Sequence, residues 1–475
     1  MRSLIRLARL WALSLPFAVL AACASQSGAS APYVLETAQD AVHTRIGEAG
    51  PQVWTLTDLN PDTLEAPVPA HAQTPVCFES ELDRHCFPIA PGDQVDFVIR
   101  SHGVAHNTRI VGVLDVPAAV FDASYQAAHR GRVEVLVPEV YELVNIAIAL
   151  SPYATENDGL TAANTPYMQR VREHFAAYQN HPFVRAVDAA MRSNYILNYY
   201  GLKMNGYAFE FDAAGHIQRS AIYDRTGFDG VRDNALLAHL AEMQSFADES
   251  GFRAFYAENA TTYREQIDFL ANEVNVSGML TWLRREYPSV RPYDGVKIVF
   301  SPLVGWNQSM THFESNGYRE LQPHVNFPYS SGHSRFSHAG ETVVRGEVLF
   351  TELNHGFINP AAERYGANID AALGDRRAWS NGHALEGYTN SQAVFLEYMN
   401  WGLVSLYTME RLNEAEWAMD VRSTNQMMVA RGFPRFEAFS TELVRLYRNR
   451  RPGQTLEDLY PQIIAWFASQ RPASP

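Results

Sequence analysis

Hydrophobic spacing changes character along this chain of 475 residues. In the first third, Val and Ile recur in short runs with partial alternation: VDFVIRSH, RIVGVLDV and RVEVLVPEV. Pro91-Gly92, Gly103 and Gly131 break these runs. Period-two runs bounded by turn residues predict strands, so residues 33–136 are expected to form a β-rich amino-terminal region. From residue 137 the pattern is mixed. VPEVYELVNIAIALSPY, residues 137–153, reads as a strand passing into a buried helix. Residues 163–200 and 232–287 are rich in helix-compatible periodic stretches. Asp233 is placed to cap one of them, with Leu236, Leu237, Leu240 and Met243 along its face. TYREQIDFLANEVNVSGMLTWLRREYP continues that pattern up to Pro288. YAFEFDAAGHIQRSAIY predicts a hairpin with Gly215 in its turn, and VKIVFSPLV, residues 296–304, a strand. YRELQPHVNFPYSSGHSRFSH follows as strand and loop, and ETVVRG leads into the next helix. The class is α+β.

That next helix carries the candidate chemistry. In EVLFTELNHGFINP, residues 347–360, Leu349, Leu353 and Phe357 recur every four residues and Phe350 lies beside them. Proline disfavours helix in itself and in the residue before it, so the helix is expected to run from 347 to 358 and stop at Pro360. The opposite face carries Thr351, Glu352 and His355. Residues 351 and 355 are one turn apart on one side. This is the geometry of an H-E-x-x-H zinc helix, in which two histidines hold the metal and the glutamate is general base. Here the first histidine is Thr351.

QAVFLEYMNWGLVSLYTMERL is apolar nearly all round and predicts a buried helix with Glu397 in its middle. A buried carboxylate requires a cation, a hydrogen-bond donor or a proton. Two accounts are open. Glu397 is a metal-ligand position supplied by a later helix, or it is one half of a structural pair with Arg376, Arg377 or Arg411.

The amino terminus adds a location. Arg2, Arg6 and Arg9 precede an apolar stretch over residues 10–20 that ends Leu20-Ala21-Ala22-Cys23. Residues 1–23 read as an export signal. The ending resembles a bacterial lipobox, in which Cys23 is lipidated; the alternative is an ordinary cleaved signal with a chance cysteine. Residues 24–32 are a small, polar tether. A lipidated Cys23 implies a lipid-anchored protein of the cell envelope facing the periplasm, and Ala24 in place of Asp favours the outer membrane. No later segment is long and apolar enough to span a membrane. With 38 basic and 52 acidic residues the net charge is −14, and loss of the signal's arginines makes it more acidic. Nothing in this balance favours nucleic acid. Cys77 and Cys86 predict a disulfide in an oxidising compartment, with a metal site including His85 as the rival. No G-x-S-x-G, P-loop or dinucleotide fingerprint occurs.

The pairing of Val137–Asn145 (VPEVYELVN) with Glu352, His355 and Asn359-Pro360 resembles a family of uncharacterised bacterial exported proteins with a zincin-type, gluzincin-like metallopeptidase domain. The likeness covers roughly residues 130–420. It implies a zincin-like α+β domain over 137–475, with Glu352 as general base and His355 and Glu397 as metal ligands. It implies Zn²⁺ as a possible cofactor and a peptide or protein as substrate, extended along an edge strand of the cleft. Tyr388 or His383 are candidates for stabilising an oxyanion. Thr351 departs from the pattern. A neutral hydroxyl is a poor zinc ligand. His324, His333, His338, His383 and Glu386 are then the available replacements, each with a surface or loop reading beside it. Peptidase activity is therefore expected to be reduced or lost. The alternative is a pseudoenzyme that binds or scaffolds at the envelope. A metal-free pairing of Glu352 with Glu397 would suggest glycoside-type chemistry.

Overall fold

The computed structural model describes residues 32–56, 60–69, 72–193, 195–227, 234–330, 335–388 and 390–470, without the side chains of 195–197. Cys23, Asp233 and His333 lie outside the described residues. The chain divides into two compact units at Val116/Pro117. This boundary precedes the one expected at 136/137. The reason is that the Val/Ile run after Gly131 pairs within the second unit's sheet.

Among its described residues the first unit has eight strands: β1 Val34–Thr37, β2 Ala41–Ile46, β3 Gln52–Thr55, β4 Asp62–Val68, β5 Thr74–Glu79, β6 Arg84–Ile89, β7 Gln94–Ser101 and β8 Val104–Leu114. They form two four-stranded sheets, ordered β1-β7-β8-β4 and β3-β2-β5-β6. Alternate residues of both sheets meet in one apolar cluster that includes Leu35, Val42, Phe78, Phe97, Ile99 and Ile110. Phe78 and Phe97 touch edge-on across it, with ring centroids 4.8 Å apart. Cys77 and Cys86 oppose each other in the β5–β6 register and are joined in a disulfide.

In the second unit a four-stranded sheet has the order β13-β14-β12-β9, with β9 Val133–Leu136, β12 Gly295–Ser301, β13 Ser309–Ser315 and β14 Tyr318–Asn326. The hairpin β10 Phe209–Phe211 with β11 Ile217–Arg219 stands apart from it. β12 lies between two parallel partners, and all seven of its residues are buried. Such a strand reads as a continuous apolar run rather than an alternation. β13 is one edge strand and β9 the other. β13 returns into β14 through Asn316-Gly317, both at positive φ. Gly317 accepts that backbone without strain, and Asn-Gly is the favoured pair for such a two-residue turn.

Six helices frame the region of interest: α1 Glu139–Leu150, α2 Tyr195–Asn205, α3 His338–Arg345, α4 Glu347–Glu363, α5 Ser391–Met409 and α6 Glu414–Ala430. Every residue of α1 from Val140 to Leu150 is buried. ETVVR of the stretch ETVVRG is itself helical, within α3, and Gly346 follows as its C-cap. Ser337 caps that helix by accepting from the Gly340 N–H.

The expected stop at Pro360 is overturned. α4 continues through Pro360 to Glu363. Proline in a helix leaves the carbonyl four residues earlier without its N–H donor. Here that carbonyl belongs to Gly356, and it accepts from the Tyr293 hydroxyl at 3.0 Å. The lost backbone bond is replaced by a tertiary one, so the helix runs on. Among the described residues no helix is long and apolar enough to cross a membrane.

Candidate functional site

α4 turns Leu349, Phe350, Leu353 and Phe357 into the core and leaves Glu352, His355 and Asn359 along a second stripe. These three are spaced i, i+3, i+7, which keeps them on one side of the helix. α5 answers with Glu397, Asn400 and Trp401 at i, i+3, i+4. The two helices pack directly. Phe350 stacks on Tyr407 with centroids 4.3 Å apart, and the Asn354 side chain donates to the Asn400 carbonyl at 3.1 Å. Both stripes open into a cavity of about 1120 Å³. Its other walls come from residues 304–310 with the start of β13, the end of β14, Tyr200 of α2, Tyr388, and Arg431 beyond α6. Thr351, Glu352, His355 and Glu397 thus line one space.

Each of these residues is already engaged by the protein. Thr351 donates its hydroxyl proton to the Val348 carbonyl at 2.7 Å. The Asn400 amide donates to His355 Nε2 at 2.9 Å, and the other ring nitrogen, Nδ1, bonds Asn359 Oδ1 at 3.1 Å. Glu397 accepts from Arg431 at 2.8 Å and from the Trp401 indole N–H at 3.1 Å.

Two further groups complete the electrostatics. Burial raises the Glu352 carboxyl above its ordinary value. His355 and Lys203 act against that rise, and the neighbouring Glu397 charge adds to it. The closest partner of Glu352 is Thr351 Oγ1 at 3.3 Å. That hydroxyl, directed at the carboxylate, also works against the rise. Lys203, on α2, is fully buried. Burial pushes its ammonium down to about 7 against the opposing pull of Glu352. Its Nζ donates to the Asn307 carbonyl at 2.6 Å and lies 5.3 Å from the ring centroids of Tyr199 and Tyr200.

The donor set does not fit catalytic zinc, which takes three strong protein ligands and a water. Thr351 offers a neutral hydroxyl, both His355 nitrogens are bonded, and Glu397 has a guanidinium as its cation. None of the described candidate replacements lines the cavity. His324 is buried on β14 and bonds Gln322 at 2.9 Å. His338 is exposed at the start of α3. His383 and Glu386 are exposed and lie 3.3 Å from each other. Among the described residues no cluster of three or more His, Cys, Asp and Glu side chains could hold a metal ion.

Of the arginines weighed as partners for Glu397, none fills the role. Arg376 donates to the Leu385 and Tyr388 carbonyls, Arg377 pairs with Asp375, and Arg411 stacks on Tyr407. Of the two oxyanion candidates, Tyr388 lines the cavity and accepts from Arg431 at 3.2 Å, whereas His383 does not line it. Sequence reading missed Arg431, Lys203, Asn400 and Asn359 as parts of the site. Asn400 and Asn359 follow Glu397 and His355 at helical spacing, so helical periodicity could have found them. Arg431 is 34 residues past Glu397 with no periodic relation to it.

No curated protein and no solved structure matches the chain. The model of one family matches residues 133–466, which takes in the whole cavity and the helices that build it. The chain belongs to that family, described as Domain of unknown function (DUF4932).

Proposed function

We propose that this is a lipid-anchored protein of the cell envelope whose cleft, related to those of zincin metallopeptidases, binds a ligand without metal and without peptidase chemistry. One observation carries the reading. The two positions that the resemblance assigns to metal, His355 and Glu397, are satisfied by Asn400, Asn359 and Arg431. Arg431 supplies positive charge to Glu397, and Lys203, when protonated, acts on Glu352 with the same sign. A carboxylate that has a side-chain cation as partner gains less from a metal, because the arginine must first be displaced. The open cavity supports retention of a binding role. The anchor rests on the Cys23 motif alone, and a peptide or protein is the occupant that the resemblance implies.

The test is zinc affinity, measured by competition with a chromophoric chelator. The parent chain is compared with Thr351→His, and each is repeated with Glu397→Ala. The parent is expected not to compete. Thr351→His restores two histidines one turn apart and is expected to bind ~100-fold more tightly or better, since one good ligand is worth a few kcal/mol at 1.4 kcal/mol per tenfold. Glu397→Ala should remove the gain. Tight zinc binding by the parent would overturn the metal-free reading.

A further inference from the structure

Arginines gather on the surface around the end of α5. Arg285, on the helix Val276–Glu286, bonds Glu410, the residue after α5, at 2.7 Å and its own neighbour Glu286 at 2.9 Å. Arg450, just past the helix Phe436–Arg448, takes the other oxygen of Glu286 at 2.6 Å. Arg448 is exposed and lies over the Trp417 ring of α6, 4.7 Å from its centroid. Arg411 lies over the Tyr407 ring at 3.5 Å. Arg284 and Arg451 extend the group by one residue on either side, and both are exposed.

The carboxylates beneath do not cancel this charge. Glu286 is 1% exposed, and the Tyr447 hydroxyl and the Leu456 N–H also donate to it. Counting Asp458, which feels the charge of Arg451, three carboxylates stand against six guanidiniums. Arg284 and Arg448 form no ion pair with a carboxylate among the described residues. This positive surface belongs to a chain of net charge −14. The chain's two lysines, Lys203 and Lys297, are both buried, so the exposed cation is guanidinium. The planar fork of arginine bonds phosphate oxygens in pairs, which a lysine ammonium does not. The surface is separate from the cavity: Glu410 follows Asn400 by ten residues of α5 and its end, about 15 Å at the rise of a helix.

We propose that this arginine surface docks on the phosphate layer of an anionic phospholipid membrane. The lipid anchor at Cys23 supplies the membrane, and the tether of residues 24–32 reaches at most about 30 Å from it. An acidic chain is repelled by an anionic bilayer, so a local cationic surface decides which face turns toward the lipid. The choice of a membrane as partner rests on the lipid-anchor part of the proposed function, and the docking is tested without the lipid. The full mature chain carrying Cys23→Ser is sedimented with vesicles of phosphatidylcholine, alone or with one third phosphatidylglycerol. Binding is expected on the anionic vesicles and is expected to fall as salt is raised. Arg448→Gln with Arg451→Gln should weaken it about 25-fold, at about fivefold for each arginine lost near an anionic surface. Arg172→Gln with Arg253→Gln, exposed on other helices, should leave it unchanged. No binding to anionic vesicles overturns the proposal, as does equal weakening by the two double variants, or binding to a DNA duplex without binding to vesicles. Incorporation of labelled palmitate at Cys23 of the parent is read separately; its failure removes the anchor and leaves the vesicle result standing.

Discussion

Glu142 offers a measurement of how the α1 segment is stabilised. It sits on α1, buried from Val140 to Leu150, and accepts from the Tyr167 hydroxyl at 2.8 Å, which is itself bonded to Tyr263 at 2.6 Å. Burial raises the carboxyl from 4.5 to about 7, and the Ser301 and Tyr167 hydroxyls only partly offset this. The folded-state value lies above the unfolded one. The contribution to stability is therefore full below about 4.5 and is lost as pH rises through about 7. The interval corresponds to about 3 kcal/mol at 1.36 kcal/mol per pH unit. Glu142→Gln keeps the acceptor for Tyr167 and cannot ionise. The assay is urea unfolding of the second unit, followed by tryptophan fluorescence, for parent and variant at pH 5 and pH 8.5. At pH 5 the two should be similar, with the variant lower by about 1 kcal/mol for its unpaired amide N–H groups. At pH 8.5 the variant should have gained about 3 kcal/mol on the parent. Glu320, Glu347, Glu352 and Asp420 are also raised by burial, but they titrate in both proteins and cancel in the difference. A parent-to-variant difference that stays constant within about 0.5 kcal/mol over this range would refute the reasoning.

Two other perturbations test the joints of the site. Tyr293→Phe should cost about 1–2 kcal/mol, because it leaves the Gly356 carbonyl buried and unpaired. The cost should vanish in a Pro360→Ala background, where a backbone N–H returns, and a cost of equal size in both backgrounds would mean that Tyr293 does not replace the missing bond. Arg431→Leu should cost about 2 kcal/mol by thermal or chemical unfolding, since it leaves the Glu397 carboxylate buried without its cation, with the Trp401 indole and the Tyr388 hydroxyl beside it. Adding Glu397→Gln should recover most of that loss; no recovery would assign the effect to the contacts of Arg431 with Tyr388 and Met428 instead.

The parts of the fold that could be read from sequence are those where one period dominates. Leu349, Leu353 and Phe357 repeat at helical spacing, and the face they define is the face α4 buries. The run around Glu397 is apolar on every side, and α5 is buried accordingly. Where tertiary contacts override local preference, the pattern gives no sign. Pro360 signals a helix end, and only the Tyr293 hydroxyl, 63 residues before Gly356, reverses it. The run after Gly131 alternates like its predecessors, yet it pairs with β12, more than 150 residues on, so the unit boundary falls earlier. β13 was legible and overlooked: Asn316-Gly317 between two apolar alternations is the strongest short-range hairpin signal.

The site itself divides along the same line. Glu352, His355 and Glu397 were placed together from their order and their helices, and the structure puts all three on one cavity. What these residues do depends on partners that sequence order does not reveal. Glu397 in a buried helix needs a cation, a hydrogen-bond donor or a proton, and the need is plain from the apolar residues around it. A metal and an arginine meet that need equally well in a sequence. Only the fold, by bringing the residue after α6 onto the middle of α5, decides for Arg431. Lys203 was hidden for a different reason: it sits in YILNYYGLKMNGY, where a lone lysine among aromatic and apolar residues reads as a side chain reaching for solvent. Its burial beside the cavity sets a second cation against Glu352. With Glu397 paired to Arg431 and the imidazole of His355 held between Asn400 and Asn359, the residues that suggest hydrolysis are already bonded within the protein, and this is the ground for the binding role proposed above.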